Sequence, residues 1–309
     1  MKVIILGAGV GGKLAAQGIA SKYPYVDVTL IGPETKAPSG LFYFNEEVPG
    51  IAEKPVKVTY SSIGELTDNS FVDYQIKSRG YYDPSVKISS FDKIGKAETG
   101  YLLNTDFNLS GVNWIKDECE RVDLISKKVF VKNIGGNLRA IFGMSYDLLI
   151  STIPLNTFVG SLGGSSEKIE SMMEYQPVYV KEMKVPSNKE IEEIVVHYDL
   201  TSSPYYRHSS YYSAGREIVE MRAETIKTIT DYTKKLYPGK IVKSSVKGSQ
   251  IYCLADNIEK ANPCIRILGR YARWDYHYLV TDTYRDALEF VKNYLVDGTK
   301  QGLSDDYKV

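Results

Sequence analysis

The chain has 309 residues, and its 38 Lys and Arg balance its 38 Asp and Glu, so the formal net charge is zero. Balanced charge argues against a strong nucleic-acid footprint, and no apolar run approaches the ~20 residues of a membrane span. Three scattered cysteines, Cys119, Cys253 and Cys264, show neither metal-ligand spacing nor a disulfide framework. The length suits one large domain or two intertwined ones.

The chain opens with Lys2-Val3-Ile4-Ile5-Leu6, an apolar run that breaks at glycines and passes into helix-forming residues. No basic-then-apolar leader precedes it, so the expectation is an intracellular, cytoplasmic protein. Gly7, Gly9 and Gly12 match G-x-G-x-x-G, with Ala8, Val10 and Gly11 between them. In such a turn the first glycine lets the strand bend and the second lets the backbone approach a pyrophosphate. The third lets the helix pack against the strand, with its free N–H groups facing the phosphates. The context fits: a strand before, a helix over Lys13 to Lys22, and a returning strand over Val26 to Ile31. An acid that binds a ribose hydroxyl belongs at the end of that second strand. Gly32 occupies the place, and the first acid is Glu34, expected to reach the ribose from the loop if that contact exists.

Thr35 to Gly40 is expected to be a loop passing near the cofactor. Val56 to Tyr60 alternates like a strand, Ser62 to Gln75 could hold a short helix, and Tyr81 to Pro84 is turn-like. Val112 to Ile115, Glu120 to Ile125 and Lys128 to Val131 are expected as strands of an antiparallel meander, with a Gly135-Gly136 loop after it. Tyr146 to Pro154 is a fully apolar strand core ending in small polar residues, a place that in an open parallel sheet faces the ligand crevice. Gly160 to Ser166 is Gly/Ser-rich and suits a domain crossing. Val178 to Val180, Ile194 to Tyr198 and Ile218 to Met221 suggest a second, antiparallel sheet. Ala223 to Tyr237 has helical spacing and is stopped by Pro238-Gly239, and Lys240 to Leu254 suggests strand and turn. Ile265 to Leu268 is a strand, followed by Gly269-Arg270-Tyr271 and an aromatic loop from Ala272 to Tyr278. Asp282 or Thr283 then caps a helix over Tyr284 to Leu295, ahead of a polar, fraying tail.

Three blocks together carry a resemblance: Gly7 to Gly12, Tyr146 to Pro154, and Gly269-Arg270-Tyr271 through Tyr278 to Asp282. The chain resembles flavin-dependent proteins of the amine oxidase and UDP-galactopyranose mutase group. The resemblance implies an α/β fold, with a Rossmann-like FAD-binding domain of parallel sheet plus small antiparallel meander. A smaller α+β substrate domain is built on an antiparallel sheet. The discontinuous FAD-binding domain would take residues 1–50, 110–160 and 262–309, and the substrate domain 51–109 and 161–261. FAD is the implied cofactor, held by Gly7, Ala8, Gly9, Val10, Gly11, Gly12, Glu34, Gly269, Arg270, Tyr278, Asp282 and Thr283. Tyr205-Tyr206-Arg207 resembles the segment where this group places a tyrosine and an arginine near flavin or substrate.

Tyr206, Arg207 and His208 are therefore the candidate catalytic residues. The planar fork of Arg207 suits a carboxylate or phosphate, and His208 could relay protons. Trp274, Tyr276 and Tyr278 could line an aromatic substrate slot or pack in a core. The leading expectation is an FAD-dependent oxidoreductase that takes a hydride from a small polar substrate of amine or amino-acid type. The alternatives are a redox-neutral, mutase-like flavoenzyme acting on a nucleotide sugar, a nucleotide-binding scaffold without catalysis, and a nicotinamide-dependent dehydrogenase. The expected partner is a small-molecule substrate, not a membrane or nucleic acid, and a homodimer is an open assembly.

Overall fold

The computed structural model describes residues 1–34, 43–79, 84, 91–103, 107–132, 141–173, 175–222, 233–238, 253–275 and 278–305. In chain order the first elements are β1 (Lys2–Leu6), α1 (Val10–Lys22), β2 (Asp27–Ile31), β3 (Tyr43–Phe44), β4 (Pro55–Ile63), α2 (Ser70–Arg79) and β5 (Ala97–Leu102). Next come β6 (Val112–Ile115), β7 (Glu118–Asp123), β8 (Lys128–Lys132), β9 (Ile141–Ser145), β10 (Leu148–Ser151), α3 (Leu155–Ser161) and α4 (Ser166–Glu170). The chain continues with β11 (Tyr175–Lys184), β12 (Glu193–Asp199), β13 (Tyr205–Tyr211), β14 (Arg216–Arg222) and β15 (Thr233–Pro238). It closes with α5 (Leu254–Ala261), β16 (Ile265–Ile267), α6 (Arg270–Arg273) and α7 (Val280–Asp305).

These elements form two compact units. Unit 1 comprises Met1–Ala37, Asp106–Glu174 and Pro238–Val309, and unit 2 comprises Pro38–Thr105 and Tyr175–Tyr237. The chain thus passes between units after Ala37, Thr105, Glu174 and Tyr237, whereas the sequence suggested crossings after residues 50, 109, 160 and 261. The Gly/Ser-rich stretch at 160–166 is not a crossing. It joins α3 to α4 inside unit 1, and the Ser165 hydroxyl caps α4 by accepting the Lys168 N–H at 3.2 Å.

Unit 1 is built on a five-stranded sheet in the order β16-β10-β1-β2-β6, all pairs parallel. Strands buried on both faces become continuous apolar runs, and the fully buried Leu148-Leu149-Ile150-Ser151 is one. Val3, Ile5, Val28, Leu30, Leu148 and Ile150 face a layer made by α1 and α7. Ile4, Leu6, Ile31, Leu149, Ile265 and Ile267 face the other way, onto Val122, Val129 and Val131 of the three-stranded sheet and Phe158 of α3. That small sheet is β7-β8-β9, so the meander exists but starts one strand later than expected. Val112–Ile115 instead pairs with β2 and extends the parallel sheet. Helices α1 and α7 approach so closely that a Cβ on Gly18 would lie 2.5 Å from Tyr284 Cε2.

Unit 2 is built on an eight-stranded sheet in the order β15-β11-β14-β13-β12-β4-β5-β3. Its described pairs are antiparallel apart from β12 with β4, which run parallel. One face carries Val56, Val58, Tyr60, Ile194, Val196, Tyr198 and Ile218 against Tyr74 of α2. The rings of Tyr74, Phe91, Tyr198 and Tyr206 meet at centroid distances of 5.5 to 6.2 Å, the spacing that favours edge and tilted aromatic contacts.

Several expected boundaries shift. The helix near residue 70 spans Ser70–Arg79, because β4 runs on to Ile63. The helix expected over Ala223 to Tyr237 is overturned at its end, where Thr233–Pro238 is a strand at the sheet edge; residues 223–232 lie outside the described ones. Leu254 begins a helix rather than ending a strand-and-turn stretch. The expected loops at 35–40 and 135–136, the turn at 81–83 and the residues 239–252 also lie outside the described residues.

Candidate cofactor-binding site

The glycine turn joins β1 to α1 at the carboxyl end of the parallel sheet. Gly7 has φ +103°, its N–H donates to Ile31 O at 2.7 Å, and a Cβ there would lie 2.6 Å from Thr152 Oγ1. That hydroxyl, just past β10, donates to Leu6 O at 2.9 Å and ties the strand end to the turn. A Cβ on Gly12 would overlap the carbonyl oxygen of Gly7. The protein's own packing therefore dictates both outer glycines. Gly9 is different. Its φ of −71° and ψ of −177° suit any residue, and a Cβ there would meet nothing within 4 Å. Gly9 also sits at the N-cap of α1 with no side-chain cap, and the first-turn N–H groups of a helix have no partner within the helix.

The carboxy-terminal block meets this turn. A Cβ on Gly11 would sit 3.4 Å from Thr283 Cγ2, and one on Gly269 would sit 3.8 Å from Thr283 Oγ1. Thr283 is fully buried, and its hydroxyl has no hydrogen-bond partner. A sealed hydroxyl without a partner costs about 1–3 kcal/mol. Gly269, with φ +101°, leads into the short helix that Arg270 begins. That helix replaces the first part of the expected aromatic loop.

Asp282 does not occupy the N-cap. It lies in the first turn of α7, accepts the Leu279 N–H at 2.7 Å and pairs with Arg285, so Leu279 is the capping position and Asp282 reaches back to it. The Tyr278 hydroxyl donates to the Asp286 carboxylate, and burial together with that carboxylate pushes the phenol pKa upward. Trp274 is 2% exposed and packed in the interior, so it does not line a slot; Tyr276 and His277 lie outside the described residues.

The missing ribose acid has a steric cause. A Cβ on Gly32 would lie 2.5 Å from the Ala8 backbone nitrogen, so no acid can stand there while the turn keeps its shape. Gly32 is held from both sides, its N–H on Ile115 O and its carbonyl on Trp114 Nε1, each at 3.0 Å. Glu34 is exposed and pairs with Lys116 Nζ at 2.7 Å. The Lys116 hydrogen bond and charge hold its carboxyl below the usual range. Lys116 and Lys13 place their ammonium groups 4.8 and 5.0 Å from the Trp114 ring, within cation–π range. Sequence inspection overlooked Lys116, Trp114 and Thr152. Recognising Val112–Ile115 as a fifth parallel strand would have pointed to the first two.

The expected catalytic trio lies in unit 2. Tyr206 and Arg207 share one carboxylate: Tyr206 OH donates to Glu220 Oε2 at 2.9 Å and Arg207 Nη2 to Glu220 Oε1 at 2.5 Å. Glu220 is buried, while the Arg207 side chain is 37% exposed. His208 stands between two other acids, Nδ1 3.4 Å from Glu217 Oε1 and Nε2 3.4 Å from Asp199 Oδ2. Among the described residues no group of His, Cys, Asp and Glu could hold a metal ion, and no helix is long and apolar enough to cross a membrane.

No family model and no curated protein matches the chain. Solved structures do match in fold. Reduced UDP-galactopyranose mutase superposes with a TM-score of 0.60 at 12% identity, covering 95% of this chain and 93% of its own. An oxidoreductase from Methanosarcina mazei gives 0.48 at 12% identity over 77% and 88% of the two chains. A flavin-dependent halogenase from Xanthomonas campestris gives 0.47 at 10% identity over 93% and 70%. The expected α/β architecture, a parallel sheet with a small meander and a second sheet-based unit, is thus the fold this chain shares with the mutase.

Proposed function

We propose that the chain is an FAD-dependent oxidoreductase that accepts a hydride from a small polar substrate of amine or amino-acid type. The observation that supports it is Gly9. Neither its backbone angles nor a neighbouring atom requires a glycine, which leaves the close approach of a ligand as the physical reason. The first-turn N–H groups of α1 would hold its diphosphate, Glu34 would reach the ribose, and Arg270 would add a charge-assisted contact. When bound, flavin accepts the hydride on its own ring system. The chain's task is then to bind, orient and screen. Arg207, steadied by Glu220, would hold an anionic substrate group, and the positive end of α7 would favour negative charge near its first turn.

A second reading is a redox-neutral, mutase-like flavoenzyme acting on a nucleotide sugar. The end-to-end match in fold with reduced UDP-galactopyranose mutase favours it. The absorption spectrum of the purified protein, followed by mass spectrometry of the released ligand, tests both. Flavin bands and released FAD are expected, and a colourless protein that cannot be loaded with FAD ends both readings. Anaerobic bleaching by an amine points to the oxidoreductase. Turnover of a nucleotide sugar only after dithionite reduction points to the mutase.

A further inference from the structure

Three strands of unit 2 bring a serine and two histidines into one row. Register aligns Ser61 of β4 with His197 of β12, and His197 with His208 of β13. The alternation of β12 sends Ile194, Val196 and Tyr198 into the core shared with α2, so His197 projects from the opposite face. There the two imidazoles have different surroundings. Each nitrogen of His208 faces a carboxylate at 3.4 Å, and its Nε2 is sealed from solvent. His197 shares a 2.5 Å hydrogen bond between Nδ1 and Ser61 Oγ. Among the described residues its Nε2 has no hydrogen-bond partner, and it is not among the atoms sealed from solvent. The ring is thus pinned at one nitrogen and open at the other, the arrangement required of a group that picks up and releases a proton.

We infer that His197, oriented by Ser61, is the acid–base residue of unit 2, exchanging a proton through Nε2 with a small molecule that carries a weakly acidic C–H, N–H or O–H. Its surroundings suit a base. Burial lowers its pKa first, the neighbouring His208 lowers it further, and Glu217 of β14 opposes them. Ser61, the partner from β4, is uncharged, and Asp199, on its own strand, is engaged by Lys77, Thr201 and Ser203. Together these influences favour the neutral ring. His208, the histidine singled out from sequence, has no open nitrogen and serves as a fixed neighbour. The inference concerns unit 2 alone and stands apart from the ligand of unit 1.

A probe of proton abstraction tests it in the full-length protein. In 5-nitrobenzisoxazole a base removes the C3 proton, the N–O bond breaks, and the electron pair leaves on oxygen as a coloured cyanonitrophenolate. His197 Nε2 would take the proton and return it to water. The expected result is a protein-catalysed rate that rises with pH through a midpoint below the ordinary histidine value of ~6.5. H197Q should lower it at least about tenfold, and S61A should lower it less. Ethoxycarbonylation by diethyl pyrocarbonate, located by peptide mass, should mark His197 faster than His208 among the three histidines of the chain. An H197Q protein that melts like wild type yet retains the wild-type rate overturns the inference. So does faster labelling of His208, a measurement on the unaltered protein that no folding defect can obscure.

Discussion

The glycine turn of unit 1 and the histidine row of unit 2 are assembled by opposite means. In the turn, the backbone makes the site: contiguous residues leave room at Gly9 and let two chain ends meet at Thr283. In the row, side chains make the site, and they come from three strands that only register brings together. A backbone site tolerates almost no change in chain path but is indifferent to most side chains around it. A register site survives many local changes and fails when a strand slips by one residue.

Substitutions can break or sharpen this contrast. The largest effect belongs to Gly12→Ala. Helix propensity alone would favour alanine by about 1 kcal/mol, but the overlap with the Gly7 carbonyl dominates. A net loss of about 2 kcal/mol or more is expected in urea unfolding, together with loss of bound nucleotide. Gly9→Val separates the two roles of the turn. It should abolish flavin retention on gel filtration while the ligand-free protein keeps its stability to within about 1 kcal/mol. Full flavin retention would show that the phosphate lies elsewhere.

In unit 2 the sensitive group is Asp199. Burial alone would raise its pKa, but hydrogen bonds from Thr201, Ser203 and Lys77 outweigh it and hold the carboxyl at about 2. A depressed value contributes stability above the unfolded pKa near ~3.9, and that contribution disappears as pH falls toward the folded value. Asp199→Asn should therefore cost about 2 kcal/mol at pH 7 and little at pH 2, measured by urea unfolding at both. The smallest effect is expected from Lys116→Met. The Lys116 pair with Glu34 is exposed, and exposed pairs contribute little. Melting should not change, while the Glu34 carboxyl, followed by NMR titration, should move up toward the ordinary range.

The same contrast explains what the sequence reveals. The segment β1-turn-α1-β2, the strand at Leu148 to Ser151 and the strand at Ile265 to Ile267 are legible because burial on two faces forces uninterrupted apolar runs. The edge strand Thr233–Pro238 is not, because a short segment that alternates loosely satisfies helical and strand periods alike, and pairing with β11 decides it. Likewise the Gly/Ser composition at 160–166 suggests a linker, although Ser165 is a helix cap. Nothing local in the sequence distinguishes His197 from His208. Only the register that sets Ser61 beside one, and Glu217 and Asp199 beside the other, does so.

The meeting of α1 with α7 at Gly18 and Tyr284 has a consequence for biosynthesis. A ribosome releases β1, α1 and β2 first, yet the layer that shields Val3, Ala16 and Ile19 stays unfinished until the last helix emerges from the exit tunnel. The earliest part of the chain must wait for the latest, with the whole of unit 2 translated in between. A nascent chain stalled before residue 280 would leave that apolar layer uncovered, and the final helix would close it.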